Sequence, residues 1–329
     1  MRVLSLVNER HRLKPDQSTT AMALEAARRG GRSFIAGIDD VSLDDDGAVV
    51  FDALPMEPAD DPTSALLALT EVTGEAIRDS DLDVILIRTN PGRDKDRTGL
   101  HEATLNLCRL AQNRGVVVLN DPDALPRASD KLYLAYLPEA LRPRMVVTRD
   151  ARRIREFVDA EKDRSVLKPL FGTQGRGVFR VSPGGPNLGA LIDVLTSDGY
   201  VIAQQYLRRA PEGDTRVVIV DGAPLELDGK ICAVRRVPSG REFRSNIHLG
   251  GRAQPAEPTV PLVRAAAAIG EVLASHGIWM AGVDLVGTKA VEVNVRSPGG
   301  LTDASEFEEV DFVGAAVDSI ARRIKASGS

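Results

Sequence analysis

The chain has 329 residues, 43% hydrophobic and 27% charged, with 42 Lys and Arg against 47 Asp and Glu for a net charge of −5. A single core stops growing at roughly 250 to 300 residues, so this length predicts two or three domains, and the ordinary composition excludes global disorder and low-complexity architectures. The negative net charge argues against a dedicated nucleic-acid-binding protein, which would carry a broad positive field.

The chain shows no sequence signal for secretion or for a membrane span. Its N-terminus, MRVLSLVNER, offers too short an apolar run for a signal peptide, and no window approaches the ~20 apolar residues that a bilayer requires. Cys108 and Cys232 are far apart and outside any CxxC motif, so neither a disulfide framework nor a thiolate metal site is expected. These features predict a cytoplasmic protein with no membrane partner.

Residues 1–122 alternate short β-rich runs with helical patterns, which predicts a parallel α/β sheet. Ser18 or Thr19 is the expected N-cap of the first helix, and Gly30 and Gly115 are expected to end the two helices. A hairpin turn is expected at residues 44–47. The expected strands are residues 2–7, 33–38, 83–88 and 116–119, and the expected helices are residues 18–29 and 100–114.

The pattern changes after the turn signal Asn120-Asp121-Pro122. The pattern of residues 131–207 predicts, in chain order, a helix, a strand, a helix, a strand, a glycine-rich loop, a strand, a helix and a strand. From Asp214 onward strands dominate, with a Gly- and Arg-rich loop and two covering helices. The loop is expected at 238–253 and the helices at about 258–276 and 309–325. The fold class is therefore α/β, with α+β character, in three domains: 1–122, 123–206 and 207–329.

The glycine-rich loop contains Gly172, Gly175 and Gly177 in the segment SVLKPLFGTQGRGVFRV. A P-loop would need Lys and Ser or Thr after its last glycine, and a dinucleotide-binding loop would open a helix, whereas the β-prone VFRV follows here. What remains is a hairpin whose tip can lay backbone N–H groups over phosphates, with Lys168 as a cationic clamp. A plain glycine-rich hairpin with an exposed lysine is the competing interpretation.

A possible carboxylate cage lies in the stretches MAGVDLVG and AVEVNV, which predict two strands joined by a three-residue turn. Such a turn pairs Val286 with Ala290 and places Asp284 directly opposite Glu292, with Asn294 on the same face. Facing carboxylates are destabilising unless a cation offsets them, and Mg²⁺ would do so while binding substrate phosphates. The alternatives are that both carboxylates pair with arginine or lysine, or that the register is off by one.

Arginines and one asparagine cluster in VRRVPSGREFRSNIHLGGR. The planar fork of arginine suits carboxylates and phosphates, so this loop would hold an anionic substrate if it lies beside a metal site. A solvated basic surface loop is the alternative. The motif DTR at 214–216 adds a charged pair, for which a surface ion pair is the alternative interpretation. The cluster consists of Arg235, Arg236, Arg241, Arg244, Asn246 and Arg252.

These motifs form an ordered series of SDKL, LKPL, the glycine-rich hairpin, AQQYL, DTR, GVDLVG and EVNVRSP. In this order and spacing they resemble the ATP-grasp superfamily and, within it, the bacterial glutathione synthetases. The similarity extends over nearly the whole chain and includes KPDQSTTAMALEAARRG near the N-terminus. It implies an ATP-grasp fold that follows an N-terminal, Rossmann-like pre-ATP-grasp α/β domain.

The resemblance implies a role for individual residues. The residues expected to bind ATP are Lys131, Lys168, Gly172, Gly175, Gly177, Gln204, Gln205, Tyr206, Leu207 and Asp214. Those expected to bind substrate are Asp16, Ser18, Arg236, Arg244, Asn246, Arg252 and Ser297. Those expected to act in catalysis are Lys168, Arg216 and Arg236. The expected ligands of Mg²⁺, with Mn²⁺ as an alternative metal, are Asp284, Glu292 and Asn294.

The implied activity is ATP-dependent amide formation. A substrate carboxylate attacks the γ-phosphate of ATP, and an amine then displaces phosphate from the acylphosphate. The implied substrates are γ-glutamylcysteine and glycine, which give glutathione. The resemblance further implies small-molecule substrates, no nucleic-acid partner and a homo-oligomer, either a dimer or a tetramer.

The chain departs from the family pattern in several places. TNPGRD at residues 89–94 replaces an acidic, proline-rich segment, and RSPGG at residues 296–300 stands where Thr-Ser-Pro-Thr is usual. Phe171 and Arg176 replace an aspartate and a glycine that are common in the glycine-rich loop. These departures support an alternative, a related ligase with another amine acceptor or carboxylate donor. A nucleotide-binding regulatory protein without catalysis is the competitor from another class.

Overall fold

The computed structural model of the protein describes residues 1–170, 177–238 and 252–327. Across these ranges no helix combines the length and the apolar character needed to cross a membrane. The elements of the N-terminal part are β1 (Arg2–Val7), α1 (Ser18–Arg28), β2 (Arg32–Gly37), β3 (Val41–Leu43), β4 (Val49–Met56), α2 (Pro62–Glu71), β5 (Glu75–Arg78), β6 (Val84–Ile87), α3 (Thr98–Asn113) and β7 (Val117–Leu119).

The N-terminal sheet is mixed, with strand order β3-β4-β2-β1-β6-β7 and β5 paired with β4. β2, β1, β6 and β7 run parallel, as predicted, and β6 is buried along its whole length because both faces of the sheet are covered. At the other edge the sheet is not parallel, because β3, β4 and β5 pair antiparallel. The hairpin turn predicted at residues 44–47 does connect β3 with β4, whereas α2 and β5 were not predicted.

The N-terminal end of α1 differs from the predicted cap, whereas its C-terminal end agrees with the prediction. The N-cap is Gln17 rather than Ser18 or Thr19, and it makes no side-chain capping bond. Ser18 and Thr19 lie inside the helix and are buried against the rest of the protein. Gly30, with φ of +75°, follows the helix in the left-handed conformation that the predicted stop requires.

The middle of the chain forms a separate antiparallel sheet of order β10-β9-β11-β8. The predicted alternation of helices and strands is confirmed, except that Lys131 begins a 3₁₀ helix, Lys131–Tyr136. This sheet and its two helices share a core that includes Ile154, Leu167 and Ile192. The elements are α4 (Ala124–Ala128), β8 (Met145–Thr148), α5 (Ala151–Glu161), β9 (Ser165–Pro169), β10 (Phe179–Val181), α6 (Leu188–Ser197) and β11 (Val201–Gln205).

The C-terminal part is built on an antiparallel sheet of order β17-β16-β12-β18-β19. Within it β13 pairs with β12, whereas β14 and β15 form a small hairpin of their own. The elements are β12 (Asp214–Val220), β13 (Ala223–Pro224), β14 (Glu226–Leu227), β15 (Lys230–Ile231), β16 (Ala233–Val237), β17 (Arg252–Pro255), α7 (Val260–Ser275), β18 (Met280–Val286), β19 (Lys289–Asn294), α8 (Leu301–Glu308) and α9 (Phe312–Ser327).

The two large sheets are joined through one continuous core, to which Phe34 and Ile85 contribute from the first and Val217 and Val283 from the second. Asn120 fixes their relative position. Its Nδ2 donates to Met280 O at 2.9 Å and Val295 O at 3.1 Å, and its Oδ1 accepts from Met280 N at 2.7 Å. The end of the parallel sheet is thereby held against β18 and β19, where the polar residues collect.

Candidate active site

A buried network of charges crosses three strands of the C-terminal sheet. The register places Arg216 of β12 opposite Asp284 of β18. Arg216 holds this carboxylate with two hydrogen bonds, from Nε to Oδ1 at 2.7 Å and from Nη2 to Oδ2 at 2.9 Å. Arg236 of β16 lies opposite Asp214, with its Nε 2.7 Å from Asp214 Oδ1 and its Nη2 2.6 Å from Asp284 Oδ2. Asp214 and Arg216 therefore have different partners and do not form a surface ion pair with each other.

Electrostatics inside this network follow from its burial. Burial alone would raise the pKa of Asp284, but Arg216 and Arg236 outweigh it and hold that pKa below the ordinary value. Burial lowers the pKa of Arg236, yet Asp284 and Asp214 raise it above its usual range. Asp284 and Arg236 are therefore charged at neutral pH, and each depends on the network for compensation.

Asp284 and Glu292 are directly opposite each other, as predicted, but the predicted turn is wrong. The turn is one residue tighter, since Val286 pairs with Lys289 and Leu285 with Ala290. A β-bulge between Asp284 and Leu285 then shifts the register by one residue and restores the pairing of Asp284 with Glu292. Two departures from the expected geometry thus compensate each other.

Asn294 also lies on this face, as the alternation of β19 predicts. It pairs with Gly282 in the ladder, and its Nδ2 donates to Asp284 Oδ2 at 3.1 Å. Gly282 leaves the space that Arg216 occupies, because a Cβ there would lie 3.3 Å from both Cδ and Nε of Arg216. The side chains of the network can therefore lie flat across the sheet.

Two adjoining cavities open onto this face. The first, of about 350 Å³, is bounded by the 3₁₀ helix that begins at Lys131, by residues 90–98 and by the end of β19. The second, of about 290 Å³, is bounded by the start of α1, by Arg216 and Arg236 and by residues 296–300. Both are lined by Glu292 and Asn294, so these side chains stand between them. We call them the first and the second cavity.

Of the two predicted lysines, Lys131 lines the first cavity, whereas Lys168 is not part of its lining but is close enough to Lys131 and Glu292 for both to act on its pKa. Lys131 donates from Nζ to Pro169 O at 3.0 Å, and burial lowers its pKa. Lys168 is only 7% exposed, its Nζ lies 3.5 Å from Val291 O, and burial lowers its pKa to about 8, while Glu292 acts in the opposite direction. The competing interpretation, a plain hairpin with an exposed lysine, is wrong, because β9 is an inner strand between β10 and β11 and Lys168 is buried.

The segment predicted to contact adenine lies beside Lys168. β11 pairs with β9, with Ile202 opposite Lys168, and the side chains of Gln204 and Tyr206 are buried. Gln204 Oε1 and Tyr206 Oη have no hydrogen-bond partner within the described part of the chain. Gln205 ends β11 and Tyr206 and Leu207 follow directly, so the four residues form one continuous segment at the end of this strand.

Part of the predicted substrate set meets at the second cavity. Asp16, Ser18 and Ser297 all line it, although they are far apart in the sequence. Two hydrogen bonds tie these regions together, one between Thr19 Oγ1 and Ser297 Oγ at 3.3 Å and one from Thr302 Oγ1 to Asp16 O at 3.0 Å. The N-terminal part therefore supplies one wall of the second cavity.

Other predicted residues lie elsewhere. Arg252 is exposed at the start of β17, opposite Val237, and does not line the two cavities. Asp214 takes part in the charge network without lining either cavity. Gly177 has φ of +70°, which favours glycine, just before β10. Gly172, Gly175, Arg244 and Asn246 lie outside the described residues.

Three arginines that were not predicted as site residues line the second cavity, namely Arg88, Arg93 and Arg296. Arg88 is buried and donates from Nε to Thr19 Oγ1 and from Nη2 to Pro298 O, both at 3.0 Å. Arg296 lines both cavities and donates from Nε to Ser129 Oγ at 2.8 Å. Burial lowers the pKa of Arg88 and that of Arg296 to about 10. Arg88 could have been found, because it follows an apolar parallel strand, and ligands bind at the carboxyl ends of such strands.

The oxygen atoms around Glu292 fit a magnesium ion only with help from substrate. Within the described residues, no group of three or more His, Cys, Asp or Glu side chains forms a metal site by itself. The Glu292 carboxylate and the Asn294 amide oxygen are hard ligands at the cavities, and Mg²⁺ commonly combines one or two carboxylates with phosphate oxygens and water. Both oxygens of Asp284 already accept hydrogen bonds.

Comparison with known sequences identifies the family. Residues 1–126 match the N-terminal domain of prokaryotic glutathione synthetase, and residues 130–309 match its ATP-grasp domain. A glutathione synthetase of Vibrio cholerae is 35% identical over 94% of this chain and 93% of that protein. One from Escherichia coli O127:H6 is 34% identical over the same shares. The chain belongs to the prokaryotic glutathione synthetase family.

Solved structures agree with this assignment at the level of the fold. D-cycloserine synthetase DcsG has a TM-score of 0.65 at 20% identity and covers 98% of this chain and 99% of its own. The ATP-grasp ligase PsnB with a minimal precursor has a TM-score of 0.64 at 18% identity, with coverage of 97% and 98%. As a glutathione synthetase family member with the ATP-grasp fold, the protein is a ligase that forms C–N bonds, and ATP-grasp ligases use ATP and Mg²⁺.

Proposed function

We propose that the protein joins γ-glutamylcysteine to glycine with hydrolysis of ATP to ADP and phosphate. The observation that carries this proposal is the 35% identity to a glutathione synthetase over 94% of the chain, through both matched domains. The two adjoining cavities support it, because a ligase of this type must bring a nucleotide phosphate and a substrate carboxylate together.

ATP is proposed to lie on the side of the first cavity. Lys131 and Lys168 would bind its phosphates. The segment at the end of β11 would contact adenine through Gln204, Gln205, Tyr206 and Leu207. Binding of a phosphate would compensate the cost of burying Lys168, for which Glu292 supplies an opposite charge. Gly172, Gly175 and Gly177 are proposed to cover the phosphates, and Asp214 to contact the ribose.

The second cavity is proposed to hold the carboxylate substrate. A carboxylate oxygen attacks the γ-phosphorus of ATP, the bond to the β–γ bridging oxygen breaks, and ADP leaves. The amine then attacks the acylphosphate carbon and loses a proton, and phosphate leaves. Such transfers depend on positioning and on neutralising charge, which Lys168, Arg216 and Arg236 would provide. Asp16, Ser18 and Ser297 would orient the substrate, together with Arg244 and Asn246.

Glu292 and Asn294 are proposed to hold Mg²⁺ together with the phosphates of ATP. A bound Mg²⁺ supplies neutralisation of the charge on the phosphate oxygens. Asp284 is proposed as the third ligand, a role that requires one of its hydrogen-bond donors to turn towards the substrate. Mn²⁺ would fit the same oxygen ligands.

The decisive experiment measures phosphate release by the purified protein with ATP, Mg²⁺ and γ-glutamylcysteine, with and without glycine. We expect release that depends on glycine and a product with the mass of glutathione. Release without any tripeptide product would contradict the proposal. The same assay without Mg²⁺ is the control for the metal, and we expect no turnover there.

The second candidate function is the same type of ligase reaction with an amine acceptor other than glycine. The observation that favours it is Arg296, which lines both cavities at a position where the relatives' usual motif has no cation. A panel of amino acids and amines in place of glycine would separate the two. A higher kcat/KM with another amine than with glycine would establish the second candidate.

A further inference from the structure

Arg296 occupies the junction of the two cavities. Its side chain lines both, as do those of Glu292 and Asn294. It comes directly after β19 and the buried Val295, whose carbonyl accepts from Asn120, so the backbone at this point is fixed. A group that moves from a nucleotide in the first cavity to a carboxylate in the second would pass close to this guanidinium group.

The hydrogen bonds of Arg296 differ from those of its neighbours. Arg216 and Arg236 are taken up by Asp284, and Arg88 contacts a partner with each of its three nitrogens. Arg296 donates from Nε to the hydroxyl of Ser129, and across the described residues no carboxylate pairs with it and neither Nη atom has a hydrogen-bond partner. Two donors of a positively charged group thus have no protein acceptor in the described part of the chain.

Such an arrangement suits an anion. Arg296 is partly buried, so its guanidinium group loses part of its hydration, and a protein carboxylate or a bound anion is the usual compensation. The bond to Ser129 leaves the two terminal nitrogens as a planar fork, which matches the spacing of two oxygens on a phosphoryl group. The carboxylate of an amino acid that serves as the amine acceptor would need a cation in the second cavity alone, whereas Arg296 also lines the first cavity.

We propose that Arg296 binds the phosphoryl group while it moves from ATP to the substrate carboxylate. This inference rests on the proposed ligase function. The terminal nitrogens donate to two non-bridging oxygens as the bond from phosphorus to the carboxylate oxygen forms and the bond to ADP breaks, and no proton leaves the arginine. Ser129 acts as a positioning residue, because its hydroxyl fixes the plane of the guanidinium group.

The test compares Arg296→Gln, Arg296→Met and Arg296→Lys with wild type. Loss of one preorganised donor group to the transferred charge commonly costs about 100-fold in kcat, so we expect that loss in the first two variants and a smaller one in Arg296→Lys. KM for glycine should stay within about threefold, because the lost contact is to phosphate rather than to the acceptor. Arg127→Gln is the matched control, since Arg127 is exposed in α4, close to Ser129 and outside both cavities.

A binding measurement decides the inference separately from turnover. Inorganic phosphate is titrated into the protein with Mg²⁺ and ADP by calorimetry, and we expect binding to weaken at least about tenfold in Arg296→Gln and Arg296→Met but not in Arg127→Gln. Unchanged phosphate affinity would overturn the inference, as would an effect confined to KM for glycine. If wild type shows no turnover with any substrate pair, the proposed function fails, while the phosphate titration still tests Arg296. If one of the two uncharged variants does not fold, the other gives the result.

Discussion

Arg216 and Asp284 face each other across β12 and β18, and the arginine spans both oxygens of the carboxylate at 2.7 and 2.9 Å. Asp284 is fully buried and also accepts from Arg236. One carboxylate therefore holds two arginines of the second cavity at fixed positions. Substrate and metal would meet a charge network that the fold has already arranged, which reduces the reorganisation needed during phosphoryl transfer.

We predict that Asp284→Asn destabilises the protein by about 3 kcal/mol or more, because the buried Arg236 and the partly buried Arg216 lose their shared counter-charge. Chemical unfolding at pH 7 measures this loss. The double variant Arg216→Gln with Asp284→Asn should recover part of it, since one uncompensated charge is removed as well. Equal stability of Asp284→Asn and wild type would show that solvent, and not Asp284, compensates the arginines.

We also expect the Asp284 carboxylate to make the stability of the folded protein sensitive to acid. Because the pKa of Asp284 is lower in the folded protein than in the unfolded chain, its contribution to stability is present above the unfolded value of 3.8 and is lost as pH falls through the lower, folded value. Acid unfolding followed by circular dichroism should therefore move to higher pH in Asp284→Asn. An unchanged acid transition would contradict this linkage.

We predict that Lys168→Met stabilises the ligand-free protein while it weakens binding of ATP. The pKa of Lys168 is lowered from 10.5 to about 8, so the cost of burying its charge is fully present below pH 8 and disappears as pH rises to 10.5. At pH 7 the gain should be of order 2 kcal/mol, and the affinity for Mg²⁺ and ATP should fall at least about tenfold. Unfolding and calorimetry measure the two effects.

Lys162→Met is the matched control for this prediction, because Lys162 is exposed and lies at the end of α5, away from both cavities. It should change neither stability nor nucleotide affinity appreciably. A less stable Lys168→Met protein would mean that the ammonium group supports β9 and β19 through its contact with Val291 O.

The sequence predicts most of the elements that hold the site but not their burial. Alternation along β18 and β19 indicates which residues share a face, and a pairing of Asp284 with Glu292 follows. The same pattern carries no information on a bulge, so the turn derived from it is wrong. The spacing around Lys168 likewise gives no sign that β9 lies between two strands, because strand order depends on contacts between distant segments.

Arg88 and Arg296 show a second limit of sequence reasoning. Each becomes part of the second cavity only through contacts with segments far away in the chain, Thr19 and Pro298 for Arg88 and Ser129 for Arg296. Local periodicity cannot report such contacts. In contrast, the resemblance supplies Asp16 and Ser18, which meet Ser297 at the same cavity as an ordered family motif would imply.

We predict that Glu292→Gln moves the alkaline loss of ATP binding to lower pH. Glu292 acts to raise the pKa of both Lys168 and Lys131, so its removal lowers them further and the cationic forms are lost earlier as pH rises. The midpoint of ATP affinity against pH should fall by at least about 0.5 unit. The Mg²⁺ concentration for half-maximal turnover should also rise.

Asp130→Asn provides the control for this shift. Asp130 raises the pKa of Lys131 but is not among the groups that shift the pKa of Lys168. An asparagine at position 130 can still cap the 3₁₀ helix by accepting a hydrogen bond from Leu132 N. If Asp130→Asn shifts the pH dependence of ATP affinity as much as Glu292→Gln does, the loss of ATP binding at alkaline pH is determined by Lys131 rather than by Lys168.

We predict that Arg88→Met weakens binding of the carboxylate substrate more than it slows the reaction. Arg88 joins the start of α1 to the loop after β19 through Thr19 Oγ1 and Pro298 O, and these two segments are opposite walls of the second cavity. Without this link KM for the carboxylate substrate should rise about tenfold, whereas KM for ATP should stay within about threefold.

Stability separates this positioning role from a purely structural one. Arg88→Met removes the hydrogen bonds to Thr19 Oγ1 and Pro298 O but also removes a buried charge, so the free energy of unfolding should change by less than about 1 kcal/mol. Thr19→Val removes only one of the two contacts and should raise KM for the carboxylate substrate less. If Arg88→Met instead raises KM for ATP and for the carboxylate substrate equally and unfolds more easily, the arginine stabilises the junction of the two sheets and has no selective effect on the cavity.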